Sequence, residues 1–362
     1  ASACGTIYST LIDEHARIVS HTLYLRKIYY LLGKELAVVK LPLKLQRQYI
    51  FSRTGAESPF LIKGSGIGED AAVIKLDDST YLITHTDPIT DAIKFAGKLA
   101  VQVSSNDIAV KGARPEWSLV TLLLPLSFSE NELDEITSEI DQMSKRLGIA
   151  IVGGHTEYTA MIERPIISIT QIGIKRGEKP VDISLSKPGN ELILINEAAI
   201  EGTAVLALDM EDKLLKAGIS QKTIEKSKAL IDRISIIEDA LTASNIGVDA
   251  MHDPTEGGVI GAMVEMALAS GLEIEADASL INIMKETSEI CGVLGINPLA
   301  LLSSGALLVS ANSETSIMLK RKFGKRAITV GKFKKGRAGL TLKEGNRILK
   351  FTEPPADEIS RL

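Results

Sequence analysis

The sequence predicts two consecutive domains of mixed α and β structure, and three observations carry that expectation. A chain of 362 residues is longer than one hydrophobic core usually supports. Short β-prone runs alternate with segments of helical spacing along most of its length. A charged stretch with proline and glycine, Lys175–Asn190, interrupts the pattern and reads as the boundary between the two. The composition is that of a soluble globular protein, with 45% hydrophobic and 24% charged residues. No apolar run approaches the ~20 residues that span a bilayer, so no membrane partner is expected. A formal net charge of −5 argues against nucleic acid as the principal partner. The basic run Arg321–Arg337 is the exception and reads as a solvated face. Two cysteines far apart, Cys4 and Cys291, imply neither a disulfide framework nor a cysteine-rich metal site, and a reducing cytoplasm fits.

Taken in order, residues 1–36 carry Asp13, Glu14, Arg17, Arg26 and Lys27 among their apolar positions, which is not the pattern of a signal peptide. A short amphipathic helix packing on a partner subunit is the expected N-terminal extension. His15 and His21, six apart, do not share a helix face and are assigned no metal role. The first domain, 37–175, is organised around Gly64-Ser-Gly-Ile-Gly-Glu-Asp-Ala-Ala-Val-Ile74. Glycines at 64, 66 and 68 permit positive φ and close approach of a ligand, and the N–H groups of such a loop can cradle an anion. Asp77 and Asp78 turn the chain between β-prone runs 71–76 and 81–86. That hairpin brings Asp70 and Asp87 to one end. Ser104-Ser-Asn-Asp107 then lies inside a segment of helical spacing, where such residues are poor formers, so the group is expected to face a site.

Trp117–Leu124 and Ile166–Ile174 read as strands. Between them, Ser129 and Glu132 have capping-box spacing before an amphipathic helix reaching Leu147. The short run 149–152 is expected to deliver Gly153-Gly154-His155-Thr156-Glu157 at its carboxyl end. His155 is either a phosphate or substrate contact or a buried structural histidine, and Glu157 is a candidate for metal or proton work. After a linker at 176–190, the second domain, 191–362, opens with strand 191–196 and helices near 202–210, 221–232 and 236–245. His252-Asp-Pro-Thr-Glu-Gly-Gly258 follows. Asp253 suits an N-cap, Pro254 a first helical position, and Val259, Ala262, Met263, Met266 and Ala267 the buried stripe. Capping does not explain Gly257 and Gly258, which cost about 1 kcal/mol each against alanine inside a helix. They point to close backbone approach by a ligand at a helix N-terminus, with Thr255 beside them. Hard Mg²⁺ prefers oxygen ligands, so Asp70, Asp87, Asp107 and Asp253 are the candidate metal ligands and Asn106 a polar helper. No GxxxxGK[ST] motif occurs, which excludes an ordinary P-loop enzyme.

The stretches GEDAAVI at 68–74, THTD at 84–87, SNDIAVKGARP at 105–115, GGHTE at 153–157 and HDPTEGG at 252–258 resemble the superfamily of aminoimidazole ribonucleotide synthase, in the family's order. Within it they look most like HypE, the hydrogenase-maturation protein, and its archaeal relatives. The resemblance implies a two-domain α+β and α/β fold: a PurM-like N-terminal domain whose sheet pairs with its twin in a homodimer, then a PurM-like C-terminal α/β domain. It also implies ATP and Mg²⁺ in the cleft, with Gly64, Gly66, Gly68, Gly153, Gly154, Thr255, Gly257 and Gly258 about the nucleotide. Asp253 matches a metal-binding aspartate of selenophosphate synthase, and Asp87, Asp107, His155 and Glu157 are the implied catalytic set. The reaction type is ATP-dependent activation of a carboxamide or similar oxygen. HypE proteins carry the carboxamide on a C-terminal cysteine, whereas the sequence in hand ends Ala356-Asp-Glu-Ile-Ser-Arg-Leu362. The expectation is therefore a HypE-like enzyme acting on a separate small molecule or partner protein. A thiamine-monophosphate kinase, a selenophosphate synthase or a nucleotide-binding scaffold are the alternatives.

Overall fold

The computed structural model describes residues 40–362 apart from Asp91 and Ile93. The expected N-terminal helix, with His15, His21 and Cys4, lies outside the described residues. The first sheet holds β1 (Leu61–Lys63), β2 (Ala72–Lys75), β3 (Thr80–Ile89), β4 (Arg114–Pro125), β5 (Ala150–Thr159) and β6 (Ile166–Arg176), in the order β1-β2-β3-β6-β4-β5. The β2–β3 hairpin forms as expected, with Ala72 opposite Thr84 and Lys75 opposite Tyr81. Its turn is fixed by Asp77, whose carboxylate accepts the Ser79 N–H at 2.8 Å. Two helices, α1 (Ala96–Ala109) and α2 (Glu130–Leu147), supply the apolar partners of one face. The capping box of α2 is complete: Ser129 accepts the Glu132 N–H while Glu132 accepts that of Ser129.

Strand residues alternate between faces. Val73, Ile83, Leu122 and Ile169 point to the helices and are buried. The opposite face carries Ile74, Leu82, Trp117, Leu119, Leu123 and Ile172, all half-buried or exposed. No described residues of the same chain cover that apolar sheet face.

α1 is the central element. Apart from Lys98 its residues are all buried, because both domains pack on it. Leu99 and Val103 join Val205, Leu208 and Ile231 of the second domain, including helix α3 (Ile200–Asp209). Ala109 packs with Ile237 and Ala240 of α4 (Ile237–Ile246). Ser104 and Ser105 do not face a site, contrary to expectation. Their hydroxyls donate to the carbonyls of Ala100 and Val101 and accept from the Gln171 amide at 3.3 and 3.1 Å. The polar group splits, with the serines serving the sheet and Asp107 pointing elsewhere.

The second sheet runs β13-β12-β9-β11-β7-β10-β8, built from β7 (Glu191–Ile195), β8 (Ala250–His252), β9 (Glu273–Asp277), β10 (Leu307–Ala311), β11 (Ala327–Lys334), β12 (Gly339–Glu344) and β13 (Arg347–Phe351). Its core strands are buried on both faces: one against α5 (Gly258–Ser270), the other against α4 and α6 (Ser313–Phe323). In the basic run, Arg326 pairs with Asp239 at 2.7 Å and Lys334 with Glu275, so neighbouring acids offset part of its charge.

A buried ion pair ties the glycine loop to the end of α1. Lys111 Nζ lies 2.9 Å from Glu69, with 1% and 3% of the two side chains exposed. Lys63 adds a second contact to Glu69 at 2.7 Å. Removing one partner of such a pair strands a buried charge. Lys111→Met is therefore expected to destabilise the protein by roughly 3 kcal/mol, the lower end of the range for breaking buried pairs because Lys63 remains. Denaturant unfolding would show it, and a change below about 1 kcal/mol, a typical net hydrogen bond, would contradict it.

Candidate functional site

Four separate segments bring carboxylates together. Asp70 stands just ahead of β2, Asp87 within β3, Asp107 in the last turn of α1 and Asp253 directly after β8. β3 runs on to Ile89, so Asp87 lies inside the strand rather than closing it. It shares the helix-facing side with Ile83 and His85. Ligand atoms of His85, Asp87 and Asp107 lie within 4.8 Å of one another, and those of Asp70, His252 and Asp253 do likewise. Asp70 Oδ2, Asp107 Oδ2 and both Asp253 oxygens are buried without a hydrogen-bond partner. Burial, reinforced by Glu256, pushes Asp87 up to about 7. Burial and the nearby Asp70 push Asp253 up to about 8. Asp107 rises well above the carboxylate range through burial and the charges of Asp253, Asp87 and Asp70. The two groups thus repel across a shared interior.

Opposing charge comes from residues that sequence reasoning did not single out. His252 Nε2 meets Glu265 Oε2 at 3.0 Å. Its Nδ1 lies 2.8 Å from Asp70 Oδ1, an ion-pair contact without hydrogen-bond geometry. Lys40 Nζ reaches the other Glu265 oxygen at 2.9 Å. Burial alone would lower His252, but Asp70 and Glu265 outweigh it and hold the imidazole up to about 10. Burial would raise Glu265, yet Lys40 and His252 hold it down to about 2. His85 behaves oppositely: burial lowers it, and its Nε2 stands 3.4 Å from Asp107 Oδ2. The available signals were a histidine inside each of two quoted motifs, and one acid alone in the apolar stripe of α5.

The remaining expected residues are distributed as follows. Of the loop glycines only Gly68 takes positive φ, 66°, and a Cβ there would stand 2.9 Å from Ile183 and 3.1 Å from Glu265. The loop is pressed onto the second domain, while Gly64 and Gly66 have no such φ requirement. Asn106 is a tie between domains: its amide donates to the Ile234 carbonyl and accepts the Ile236 N–H, both at 3.0 Å. β5 continues through Gly153–Glu157 instead of ending before them. It is the sheet edge, separated from β3 by β4 and β6. Gly154 is glycine because a Cβ would fall 1.8 Å from the Val120 carbonyl oxygen. His155 and Glu157 are exposed and contact each other at 3.1 Å, so His155 is not the buried structural histidine either. This motif is not brought to the acids within one chain.

The start of α5 also differs from expectation. The helix begins at Gly258 with Gly257 as its cap, so Asp253 is not the N-cap and Pro254 is not helical. Gly257 and Gly258 have φ of 78° and 60°. A Cβ would meet the Pro355 carbonyl at 2.7 Å from the first, and those of Leu299 and Leu301 at 2.7 Å from the second. The chain's own backbone, not a ligand, requires these glycines. The anion at the helix start is Asp357, which accepts the Gly257 N–H at 2.9 Å. Thr255 is half-buried beside it, and its carbonyl accepts the Gly258 N–H at 3.0 Å. Ser303 fastens its turn by donating to the Leu301 carbonyl at 2.7 Å, and Ser304 N–H reaches Glu201 at 3.3 Å. Burial lifts Glu201, also not anticipated, to about 8. Cys291 is buried and its thiol is pushed up to about 12, so it is no nucleophile.

The shifts fix a pH response. Asp87 and Asp253 are raised, so the folded state binds more protons than the unfolded one as pH climbs through about 4 to 8, and stability falls. His252 is raised too, and its stabilisation is complete below about 6.5 and lost toward 10. The Tm of metal-free protein is expected to fall from about pH 5 to about pH 9, and millimolar Mg²⁺ to flatten that slope. A Tm rising over that interval would contradict the charge assignment.

Residues 68–175 match the family model for the AIR synthase related protein N-terminal domain, and residues 187–343 the one for its C-terminal domain. A Methanocaldococcus jannaschii protein described as a candidate hydrogenase expression/formation protein is 29% identical over 313 residues, covering 82% of this chain and 90% of its own. Carbamoyl dehydratase HypE of Rhodobacter capsulatus is 24% identical over 290 residues, 78% of this chain and 82% of its own. The HypE in a crystal structure of a HypE–HypF complex superposes with a TM-score of 0.67 at 20% identity, covering 86% and 99% of the two chains. A HypE crystallised with ATP gives 0.60 at 18% identity, covering 86% and 95%. Two PurM-like domains, each a sheet with packed helices, are the shared fold, and the chain belongs to the AIR synthase-related family.

Proposed function

We propose that the protein is an ATP- and Mg²⁺-dependent enzyme that activates a carboxamide or similar oxygen by phosphoryl transfer, in the manner of the HypE branch. One observation carries this reading: Asp70, Asp107 and Asp253 hold buried carboxylate oxygens with no hydrogen-bond partner. Buried carboxylates are stable only when paired, protonated or bound to a cation. An all-oxygen set from Asp70, Asp87, Asp107 and Asp253 suits Mg²⁺ carried with nucleotide phosphates. Bound there, the metal nucleotide would supply the electrophilic phosphorus and neutralise the charge that develops on it.

The chain's own groups then divide the work. Asp87 and Asp107 would hold the cation, and both would release protons to solvent as it binds, since burial and neighbouring charges raise them above the carboxylate range. The His252–Glu265–Lys40 series fixes Asp70 and supplies positive charge behind it. Gly68 keeps the loop close to α5, so the main-chain N–H groups of the loop are the candidates for phosphate. Asn106, Gly153 and Gly154 are structural in this reading.

A homodimer through the first sheet belongs to the same proposal. Its support is the apolar face bearing Ile74, Leu82, Trp117 and Leu123, which needs a cover. His155 and Glu157 stand on that face, by the register His155 opposite Thr121 and Glu157 opposite Leu123. Any role they have lies in the two-copy contact. Sedimentation is expected to give twice the 38.9 kDa chain mass at micromolar concentration, and a monomer would remove this part.

Calorimetry tests the central reading. Wild-type protein is expected to bind ATP only with Mg²⁺. Asp87→Asn should weaken binding by about tenfold or more, the factor that 1.4 kcal/mol of lost interaction produces. Equal affinity without Mg²⁺, or an unaltered variant, would overturn it.

A further inference from the structure

We propose that His85, Asp87 and Asp107 form a cation position of their own, with an imidazole ligand, suited to a divalent transition ion. This rests on the acid cluster being a cation seat, and not on the identity of nucleotide or acceptor. The atoms that could bind an ion lie within 4.8 Å of one another in this group. His85 Nε2 and Asp107 Oδ2 are 3.4 Å apart, yet Oδ2 has no hydrogen-bond partner and 9% of the Asp107 side chain is exposed. Metal–ligand bonds of about 2.1 Å place two atoms on one ion roughly 3–3.5 Å apart, which is the spacing between His85 and Asp107.

The second histidine marks the difference between the two groups. Both ring nitrogens of His252 already face carboxylates, one at 3.0 Å and one at 2.8 Å. His252 is an internal counter-charge, and Asp70 and Asp253 can offer a cation only oxygen. His85 has no second carboxylate ion pair among the described residues, and its Nε2 faces Asp107, whose Oδ2 lacks a hydrogen-bond partner. Hard Mg²⁺ favours oxygen, whereas imidazole suits transition ions. The seat is therefore unequal: an oxygen-only half for Mg²⁺ and a mixed nitrogen–oxygen half for a transition ion.

Mn²⁺ is the probe. The full chain without nucleotide is titrated with Mn²⁺ and followed by the EPR signal of the free ion, and pulsed EPR reads ¹⁴N coupling to the bound ion. Wild-type protein is expected to show imidazole nitrogen coupling. In His85→Thr the coupling should vanish and Mn²⁺ affinity drop about tenfold, with Mg²⁺ affinity within about threefold of wild type. His85→Gln, nearer in size, repeats the test if His85→Thr does not fold. No nitrogen coupling in wild type, coupling that survives in the folded variant, or equal losses for both ions would overturn the proposal. Nitrogen coupling together with failed Mg–ATP calorimetry would sink the nucleotide reading and leave this position standing.

Discussion

Carboxylates from four distant segments must share a largely buried space. Every other feature of the site answers that constraint. Like charges in a low-dielectric interior repel strongly and favour protonation. Asp87, Asp107 and Asp253 are all raised accordingly. His252, fixed by Glu265 and Lys40, offsets part of the charge on the Asp70 side. Among the described residues the ion-pair contact of Asp107 is with the lowered His85. The imbalance is what a cation would remove.

The fold keeps that strain in place. α1 is buried against both domains, so Asp107 at its last turn cannot withdraw to solvent. Asn106, one residue earlier, bonds to the backbone on either side of Ser235 and so locks the α1 terminus to the start of α4. The Glu69–Lys111 pair fixes the glycine loop next to Asp70. These ties cost little individually, and together they give the carboxylates no low-energy escape. In the function proposed above, the cost of burying these charges is what a bound cation would relieve, and positioning with charge neutralisation would carry the chemistry without a strong nucleophile.

Much of this was legible in the sequence. The hairpin, the capping box at Ser129 and Glu132 and the convergence of Asp70, Asp87, Asp107 and Asp253 follow from turn chemistry, cap spacing and motif order. Three readings failed for physical reasons. Gly154, Gly257 and Gly258 were read as ligand contacts, but each is required by backbone of the same chain, and a sequence does not reveal which neighbour fills the space of a missing Cβ. Asp253-Pro-Thr-Glu256 had the residue types of a helix start, yet two left-handed glycines moved that start to Gly258. Ser104 and Ser105 were grouped with Asp107 by proximity, whereas helix geometry sends them to another face. His252 and Glu265, thirteen residues apart, become partners only once β8 and α5 are packed.

Proton release on metal binding tests the central claim most directly. If the acids are held high by burial and mutual repulsion, a divalent cation with ATP must displace protons from them at pH 7. Calorimetry in buffers of different ionisation enthalpy counts those protons. The account predicts release of about one proton or more per chain at pH 7, declining as pH rises past about 9, where Asp87 and Asp253 are already ionised. Binding with no proton release at pH 7, or with proton uptake, would contradict it.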